Sequence, residues 1–188
     1  MRKSLTVAAV LLMVFAGQAV TNPIPWGGDL APWGDAQATT SYIYDDTPGL
    51  LSVYIVQLTY SEGMTASQFA APKPACFQAQ YLSDTTVFPV TIGSSQTGVA
   101  VGYGACLTGA IHVLTMNFFA QGLTGECCFY TTVAHPGIPS GEIEAVNCNN
   151  EIVFLNGGIG VINPDGRFCG TPVVPTTWGK IKTIFANE

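Results

Sequence analysis

The sequence has 188 residues, with 12 acidic and 6 basic side chains and a formal net charge of −6. Charged residues make up only 10% while hydrophobic residues reach 48%, a composition that excludes a disordered chain. The few cations argue against nucleic acid as a partner, because phosphate binding needs clustered Lys and Arg. The length predicts one domain.

Residues 1–19 have the order of a secretory signal peptide. Arg2 and Lys3 precede an apolar run over residues 5–15, and small residues follow as far as Ala19, where we expect cleavage. The run is shorter than the ~20 residues that a membrane-spanning helix needs, so we expect no transmembrane segment in the mature chain. Loss of Arg2 and Lys3 leaves four basic against twelve acidic residues, a net charge of −8. We therefore predict secretion to the cell surface, the periplasm or the medium.

Residues 20–39 form a segment rich in Pro, Trp and Gly, in which Pro-Trp-Gly occurs twice with an Asp shortly after. All three tryptophans of the chain, Trp26, Trp33 and Trp178, precede a Gly and lie outside the predicted core strands. Exposed tryptophans can contact sugars or a protein partner. Alternatively, the terminal segments fold back and cover the ends or edges of the sheets. We favour this second interpretation for Trp26 and Trp33, while for Trp178 both stay open.

Residues 40–171 alternate strand-like runs with turn residues. The runs are rich in Val, Ile, Thr, Tyr and Phe and are bounded by Gly, Pro, Asn, Asp and Ser. About ten short strands with no long helical period predict an all-β, immunoglobulin-like antiparallel sandwich. The candidate strands are Thr40–Tyr44, Leu51–Thr59, Cys76–Leu82, Val87–Ile92, Gly98–Tyr103, Ala110–Ala120, Cys127–Ala134, Gly141–Val146, Ile152–Leu155 and Gly160–Ile162.

The cysteines all lie in the predicted mature region, and an even number in an exported chain indicates disulfides. Their spacing contains no C-x-x-C pair, so we expect no metal site. Successive side chains of a strand point to opposite faces, and we therefore expect vicinal Cys127 and Cys128 to bond different partners. The connectivity stays open. The candidates are Cys76, Cys106, Cys127, Cys128, Cys148 and Cys169.

Few residues have the chemistry of a catalytic site. His112 falls within a predicted strand and His135 in a turn, and an isolated histidine needs a partner to act in catalysis. Glu142 and Glu144 share one face of a predicted strand, and paired carboxylates can hydrolyse glycosides. No Gly-x-Ser-x-Gly, His-Glu-x-x-His or phosphate-loop motif occurs. We expect structural or solvated roles for these side chains and no catalytic residue.

Asp45 and Asp46 precede Thr-Pro-Gly and could join backbone carbonyls in a calcium site. We favour an exposed start of a turn, because Asp side chains bond the neighbouring backbone at such positions. Calcium at these two residues is the one cofactor that the sequence suggests.

Residues 172–188 form a Pro-containing spacer and a short C-terminal tail. Apolar residues recur there at helical spacing and predict a short amphipathic helix: Trp178, Ile181, Ile184 and Phe185. Lys180 and Lys182 supply half of the positive charge of the mature chain, which favours contact of the tail with an acidic or lipid surface of the cell.

The order of the segments resembles a cohesin-type β-sandwich over residues 40–163. The similarity rests on an early strand, a short strand ending in Gln-Phe (Thr65–Phe69), later hairpins, a long strand and the segment at residues 151–161. Cohesins and related carbohydrate-binding sandwiches are non-catalytic binding modules, so the resemblance implies a protein or glycan partner. The six cysteines and the lack of an aromatic strip depart from both groups. Separately, Thr-Thr-Trp-Gly-Lys-Ile-Lys at residues 176–182 is similar to C-terminal tails of secreted proteins of Gram-negative bacteria.

We therefore predict a secreted, disulfide-stabilised, non-catalytic β-sandwich that acts as an extracellular or cell-surface binding or structural module. One alternative is a small secreted hydrolase of glycans or esters that uses Glu142, Glu144 or a histidine. Another is a self-assembling extracellular subunit, which the low charge and the apolar strands suggest.

Overall fold

Twelve β-strands run through the part of the chain that this computed structural model describes, residues 26–166 and residue 169. The predicted signal peptide and the predicted C-terminal helix lie outside these residues. Within them, no helix is long and apolar enough to cross a membrane. The strands are β1 (Trp26–Trp33), β2 (Tyr42–Ile43), β3 (Pro48–Thr59), β4 (Met64–Phe69), β5 (Gln80–Thr85), β6 (Val90–Ser94), β7 (Gly98–Leu107), β8 (Ala110–Gln121), β9 (Cys128–Thr131), β10 (Ile143–Asn147), β11 (Ile152–Gly157) and β12 (Ile159–Ile162).

Nine strands join in one sheet, in the order β5-β8-β3-β1-β11-β10-β4-β7-β6. The sheet folds over, so that β5-β8-β3-β1 forms a first layer and β11-β10-β4-β7-β6 a second layer facing it. A buried hydrogen bond crosses between the layers, because the hydroxyl of Tyr103 on β7 donates to Oε1 of Gln57 on β3 at 2.6 Å. The structure is therefore an all-β sandwich, as the sequence predicts, and its strands are antiparallel apart from the parallel pairs β1–β11 and β2–β12.

The two edge strands of the folded sheet, β5 and β6, meet through side chains. Asp84 on β5 accepts hydrogen bonds of 2.7 Å from both the backbone N–H and the hydroxyl of Ser95, which follows β6. The hydroxyl of Tyr81 lies 3.3 Å from Oγ of Ser94. These contacts hold the edges against each other, where free edges would invite pairing with other chains.

The core between the layers is apolar and centred on aromatic side chains. Phe77, Phe118 and Tyr130 are fully buried, with ring centroids 4.9 to 6.3 Å apart, in the tilted arrangements that aromatic pairs prefer. Phe77 lies between β4 and β5, Phe118 on β8 and Tyr130 on β9. The cluster therefore joins three parts of the chain that share no backbone pairing.

Strand β1 lies in the middle of the large sheet, between antiparallel β3 and parallel β11. We expected the sandwich to begin at residue 40, but the sheet already includes residues 26–33. Glycine permits this position. A Cβ on Gly28 would lie 2.1 Å from the carbonyl oxygen of Leu58, and a Cβ on Gly27 would lie 2.6 Å from the side chain of Met64. The sequence did not predict this strand because Gly and Pro are rare in strands. Here Gly allows the backbone of β1 to approach its neighbours closely.

A smaller sheet, in the order β2-β12-β9, packs on β1. The chain passes from the large sheet to the small one at Gly157, the last residue of β11, and Gly158, which precedes β12. The carbonyl of Leu30 on β1 accepts hydrogen bonds from the N–H of Gly158 at 2.8 Å and from the hydroxyl of Thr132. Because β1 is covered on both sides, three successive residues of it are buried: Leu30, Ala31 and Pro32.

Disulfides join Cys76 to Cys128, Cys106 to Cys148 and Cys127 to Cys169. The expectation that the vicinal cysteines bond different partners is confirmed, but the geometry differs from a strand. Cys127 precedes β9 and has a φ of 59°, in the left-handed region, while Cys128 begins the strand. A left-handed residue turns the chain sharply at that point, which separates the two sulfurs.

The Cys106–Cys148 disulfide crosses a strand. It links the end of β7 to the turn after β10, and β4 lies between these two strands in the sheet. Gly63, just before β4, lies beneath the bond, and a Cβ there would be 2.7 Å from each sulfur. The disulfide therefore fixes three neighbouring strands at one end of the second layer.

Several predicted strands begin or end elsewhere in the structure. The run predicted from Cys76 becomes a strand only at Gln80, because a turn closed by a 3.0 Å hydrogen bond from the Phe77 N–H to the Pro74 carbonyl precedes it. The segment predicted as Thr40–Tyr44 pairs only at Tyr42–Ile43. In both cases the residues have strand propensity, but their backbone groups bond within turns, as the Thr40 carbonyl does when it accepts the Gly34 N–H at 2.8 Å.

We predict that Gly28→Ala lowers the free energy of unfolding by about 1 to 3 kcal/mol, because the new methyl group overlaps a backbone carbonyl that cannot rotate away. Gly125→Ala is the matched control, since a Cβ at Gly125 meets nothing within 4 Å. Urea unfolding of the three proteins measures the difference. Equal stability of Gly28→Ala and the wild type would contradict the position of β1.

We also predict a loss of stability at alkaline pH. Burial raises the pKa of Tyr103 and of Tyr130 above the usual 10, so both phenols stay neutral in the folded state while they ionise near pH 10 in the unfolded state. The contribution of the two neutral phenols to the free energy of unfolding is therefore fully present below pH 10. Above pH 10 the free energy of unfolding falls by ~1.4 kcal/mol per pH unit for each tyrosine. Urea unfolding between pH 8 and pH 12 measures this slope, which Tyr103→Phe is expected to reduce.

Candidate functional site

The outer surface of the second layer is apolar. One row crosses five strands in register, and its residues are Val90, Gly102, Ala66, Val146 and Ile152. Val90 and Ile152, at the two ends of the row, are 52% and 53% exposed. A monomeric protein rarely leaves contiguous aliphatic side chains open to water unless they bind something.

A second row runs beside the first on the same surface, through Ile92, Ala100, Gln68, Glu144, Phe154 and Trp26. Ile92 on β6 is the most exposed of them, at 70%. Trp26 begins β1, and its ring centroid lies 6.0 Å from that of Phe154. The apolar surface therefore extends from β6 to β1 and is broken only by one polar pair, Gln68 and Glu144.

The surface between β6 and β11, which we call the concave face, encloses a hollow of about 210 Å³. Its floor consists of the small residues Ala66, Ala100 and Gly102, whereas larger aliphatic side chains stand at its two sides. Small residues in the middle of a sheet and branched residues at its margins produce a depression that a protruding side chain can enter.

Glu144 lies in the wall of the hollow. Its Oε2 accepts a hydrogen bond of 2.8 Å from the side-chain amide of Gln68, and its Oε1 accepts one of 2.8 Å from the hydroxyl of Ser140. The carboxylate is thus held in one orientation and places a negative charge among aliphatic groups. Glu142, which we expected on the same strand face, lies exposed before β10 begins.

The two histidines have local partners. Nε2 of His112 lies 2.9 Å from the Thr115 hydroxyl, and its ring meets Tyr54 edge-on at 5.4 Å. Burial lowers the pKa of His112, so the imidazole is neutral near pH 7. Nδ1 of His135 accepts the N–H of Gly137 at 3.0 Å. Among the described residues, no carboxylate is hydrogen-bonded to either ring, so the geometry offers neither histidine the partner that an acid–base role requires.

Trp26 and Trp33 lie at the two ends of β1, a strand in the middle of the large sheet, so their segment does not cover a sheet edge as we expected. Trp26 is 50% exposed on the outer surface. Trp33 is partly buried beside Tyr54, and its Nε1 has no hydrogen-bond partner among the described residues. Trp178, the third candidate contact residue, lies outside the described residues.

Asp45 is buried, with 1% of its surface exposed, which differs from the exposed turn that the sequence suggests. Its Oδ1 accepts the N–H of Gly122 at 2.9 Å, and its Oδ2 accepts the hydroxyl of Thr124. The side chain of Asn163 bonds both the N–H and the carbonyl of Asp45. Asp45 therefore fastens the β2–β3 connection to the β8–β9 connection. Asp46 is exposed, and calcium binding by this pair stays a prediction.

One group in the described part of the chain has the spacing of metal ligands. Sγ of Cys127, Sγ of Cys169 and a carboxylate oxygen of Asp165 lie within 4.8 Å of one another. The two sulfurs are bonded to each other, and a disulfide lacks the thiolate charge that metal binding needs. The group therefore fits a cross-link better than a metal site.

The residues of the concave face went unnoticed in the sequence, and the reason is physical. The face depends on register across five strands that are distant along the chain, such as Val90 on β6 and Ile152 on β11. The local signal that was present is a strand with apolar residues on both faces, Gly98–Tyr103. A strand that is apolar on both faces indicates that both faces of its sheet are buried, one against the core and the other against a further layer or a partner.

The folded layers, the buried core and the apolar concave face together define a β-sandwich with an exposed apolar surface on one layer. Solved structures that match this architecture include cohesin modules. The sixth cohesin of scaffoldin B from Acetivibrio cellulolyticus, in complex with a mutant Cel5 dockerin, matches with a TM-score of 0.51 and 13% identity, over 74% of this chain and 99% of the cohesin. The protein therefore has a cohesin-like β-sandwich fold, as the sequence resemblance implies.

Two further structures are similar. A cohesin module of a family 33 glycoside hydrolase from Clostridium perfringens has 5% identity and a TM-score of 0.47, over 74% of this chain and 99% of its own. A non-cellulosomal cohesin from Archaeoglobus fulgidus has 9% identity and a TM-score of 0.44, over 72% and 91%. No family model matches the sequence, and a search of curated proteins found no match.

We predict that Asp45→Ala lowers the free energy of unfolding by about 2 to 3 kcal/mol, because it leaves a buried N–H and a buried hydroxyl without their acceptor. Asp46→Ala, the neighbouring carboxylate on the surface, is expected to change stability by less than ~0.5 kcal/mol. Thermal unfolding of both variants tests this. Equal losses would show that the bonds of Asp45 contribute little.

Proposed function

We propose that this protein is a secreted, disulfide-stabilised, non-catalytic module that binds a protein partner through its concave face. The observation that carries the proposal is the exposure of aliphatic side chains around a preformed hollow, with Ile92 at 70% exposure beside it. Apolar area of this kind is the usual centre of a protein–protein interface. Secretion is supported by the signal-like residues 1–19 and by disulfides, which persist in oxidising compartments.

Charge narrows the chemistry of the partner. Between residues 26 and 166 the chain has eleven acidic residues and one lysine, Lys73, whose Nζ donates to the carbonyl of Phe77. Long-range electrostatic attraction therefore favours a partner with a basic surface. At the concave face itself, Glu144 stands among aliphatic groups, and it suits a partner Lys or Arg whose apolar stem lies in the hollow.

A non-catalytic role is supported by the positions of the candidate catalytic residues. Glu144 is bonded to Gln68 and Ser140, His112 faces Thr115, and His135 bonds its own turn. Each has a local structural partner. The cohesin of scaffoldin B, which has the same fold, is in complex with a dockerin, and this supports a protein as the partner here.

We predict that Ile92→Asp weakens binding by ~30-fold or more, the effect of losing one apolar contact of about 2 kcal/mol. The partner is first isolated with immobilised mature protein from the secreted and surface proteins of the source cells, then purified, and its Kd is measured by calorimetry. Leu50→Asp is the control, because Leu50 is 83% exposed on β3, in the first layer. Glu144→Gln is expected to weaken binding and to flatten its dependence on salt.

Three outcomes would contradict the proposal. One is a purified partner whose affinity falls equally with Ile92→Asp and Leu50→Asp. Another is retention of a second copy of this chain alone, with a dimer in solution that Ile92→Asp dissociates, which would assign the face to self-assembly. The third is hydrolysis of a glycan or ester that Glu144→Gln abolishes.

A further inference from the structure

At the β1 end of the second row, beyond the concave face, two aromatic side chains are exposed to solvent beside two polar side chains. Trp26 is 50% exposed and Tyr60, just after β3, is 54% exposed. Asp29 on β1 and Asn156 on β11 are paired in register and lie next to Tyr60. We call these four residues the Trp26 patch.

A β-bulge creates the patch. The pairing of β1 with β11 shifts register between Trp26 and Gly28, so that Trp26 pairs with Phe154 and Asp29 with Asn156. In a regular strand, residues three apart point to opposite faces. The extra residue at Gly27 places Trp26 and Asp29 on the same outer face, which is the way bulges re-aim side chains. The chain accommodates this irregularity in the middle of its largest sheet.

The polar groups of the patch are held in a fixed arrangement. The Tyr60 hydroxyl donates to Oδ1 of Asp29 at 2.8 Å, and the side-chain N–H of Asn156 donates to the same oxygen at 2.9 Å and to the Tyr60 hydroxyl oxygen at 3.0 Å. The bond to Asp29 raises the pKa of Tyr60, which keeps its proton. Oδ2 of Asp29 and Oδ1 of Asn156 have no hydrogen-bond donor among the described residues, so two neighbouring acceptors remain available.

We propose that the Trp26 patch binds a neutral pyranose unit of an oligosaccharide or polysaccharide. A pyranose has a face of C–H groups, which stacks on an indole, and an edge of hydroxyls, which donate hydrogen bonds. The indole of Trp26, backed by Phe154, supplies the apolar platform. The free oxygens of Asp29 and Asn156 would accept hydrogen bonds from two vicinal hydroxyls.

The charge of the patch disfavours acidic sugars. Both free polar atoms are acceptors, and one belongs to a carboxylate, so a uronic acid or sulfated sugar would bring negative charge without a donor to match it. The eleven acidic residues between residues 26 and 166 add to this repulsion. The saccharide site rests on residues other than those that carry the proposed protein partner, so either assignment can fail alone.

Affinity electrophoresis of the mature protein tests the proposal, in gels that contain mixed-linkage β-glucan, xylan, galactomannan, amylopectin or, as the acidic comparison, polygalacturonate. We expect retardation by at least one neutral polysaccharide and none by polygalacturonate. Trp26→Ala is expected to weaken the retardation by about tenfold, as for the loss of one stacked ring. Asp29→Asn, which keeps the ring, is expected to weaken it as well.

Leu50→Ala is the control, since it alters an exposed residue of the first layer away from the patch, and it is expected to bind like the wild type. Thermal unfolding shows whether each variant is folded. If Trp26→Ala does not fold, the retardation of Asp29→Asn tests the saccharide site. The proposal is wrong if no neutral polysaccharide retards the wild type, if polygalacturonate retards it equally, or if the folded patch variants bind unchanged.

Discussion

The close approach of backbones at β1 is the constraint on which the rest of the structure depends. This strand joins the two layers of the large sheet and also carries the small sheet. It can do so only because Gly28 leaves room for the Leu58 carbonyl and Gly158 leaves room for Ala31, where a Cβ would lie 2.1 Å and 2.4 Å from the nearest atom. A larger residue at Gly28 would push β1 away from β3, and one at Gly158 would push the start of the small sheet away from β1.

The same strand places the two candidate surfaces side by side. The concave face ends near Phe154 on β11, and Trp26 continues it onto β1. The second layer is apolar on both sides, but side-chain size separates them. Large residues such as Phe69 and Tyr103 point into the core, whereas Ala66 and Ala100 point out. Size rather than polarity thus distinguishes the interior of this layer from its surface.

The parts of the fold that the sequence reveals are those decided locally. The long strands β3 and β8 follow from runs of β-branched and aromatic residues, and the disulfides follow from an even number of cysteines in an exported chain. β1 was missed because Gly and Pro are selected there by close packing, which overrides propensity. Asp45 was expected on the surface because the two groups that donate hydrogen bonds to its carboxylate, the Gly122 N–H and the Thr124 hydroxyl, are distant in sequence. Both candidate surfaces depend on which residues of neighbouring strands lie opposite each other, and no local sequence pattern determines this register.

The adjacent cysteines have a mechanical consequence. A pull on the chain beyond Cys169 reaches Cys127 through one disulfide, crosses a single peptide bond to Cys128 and passes through a second disulfide to Cys76. Cys76 lies in the connection between β4 and β5, close to the aromatic core. Tension therefore enters the body of the sandwich through covalent bonds. It bypasses β12, whose few hydrogen bonds to β2 and β9 would otherwise open first, one after another.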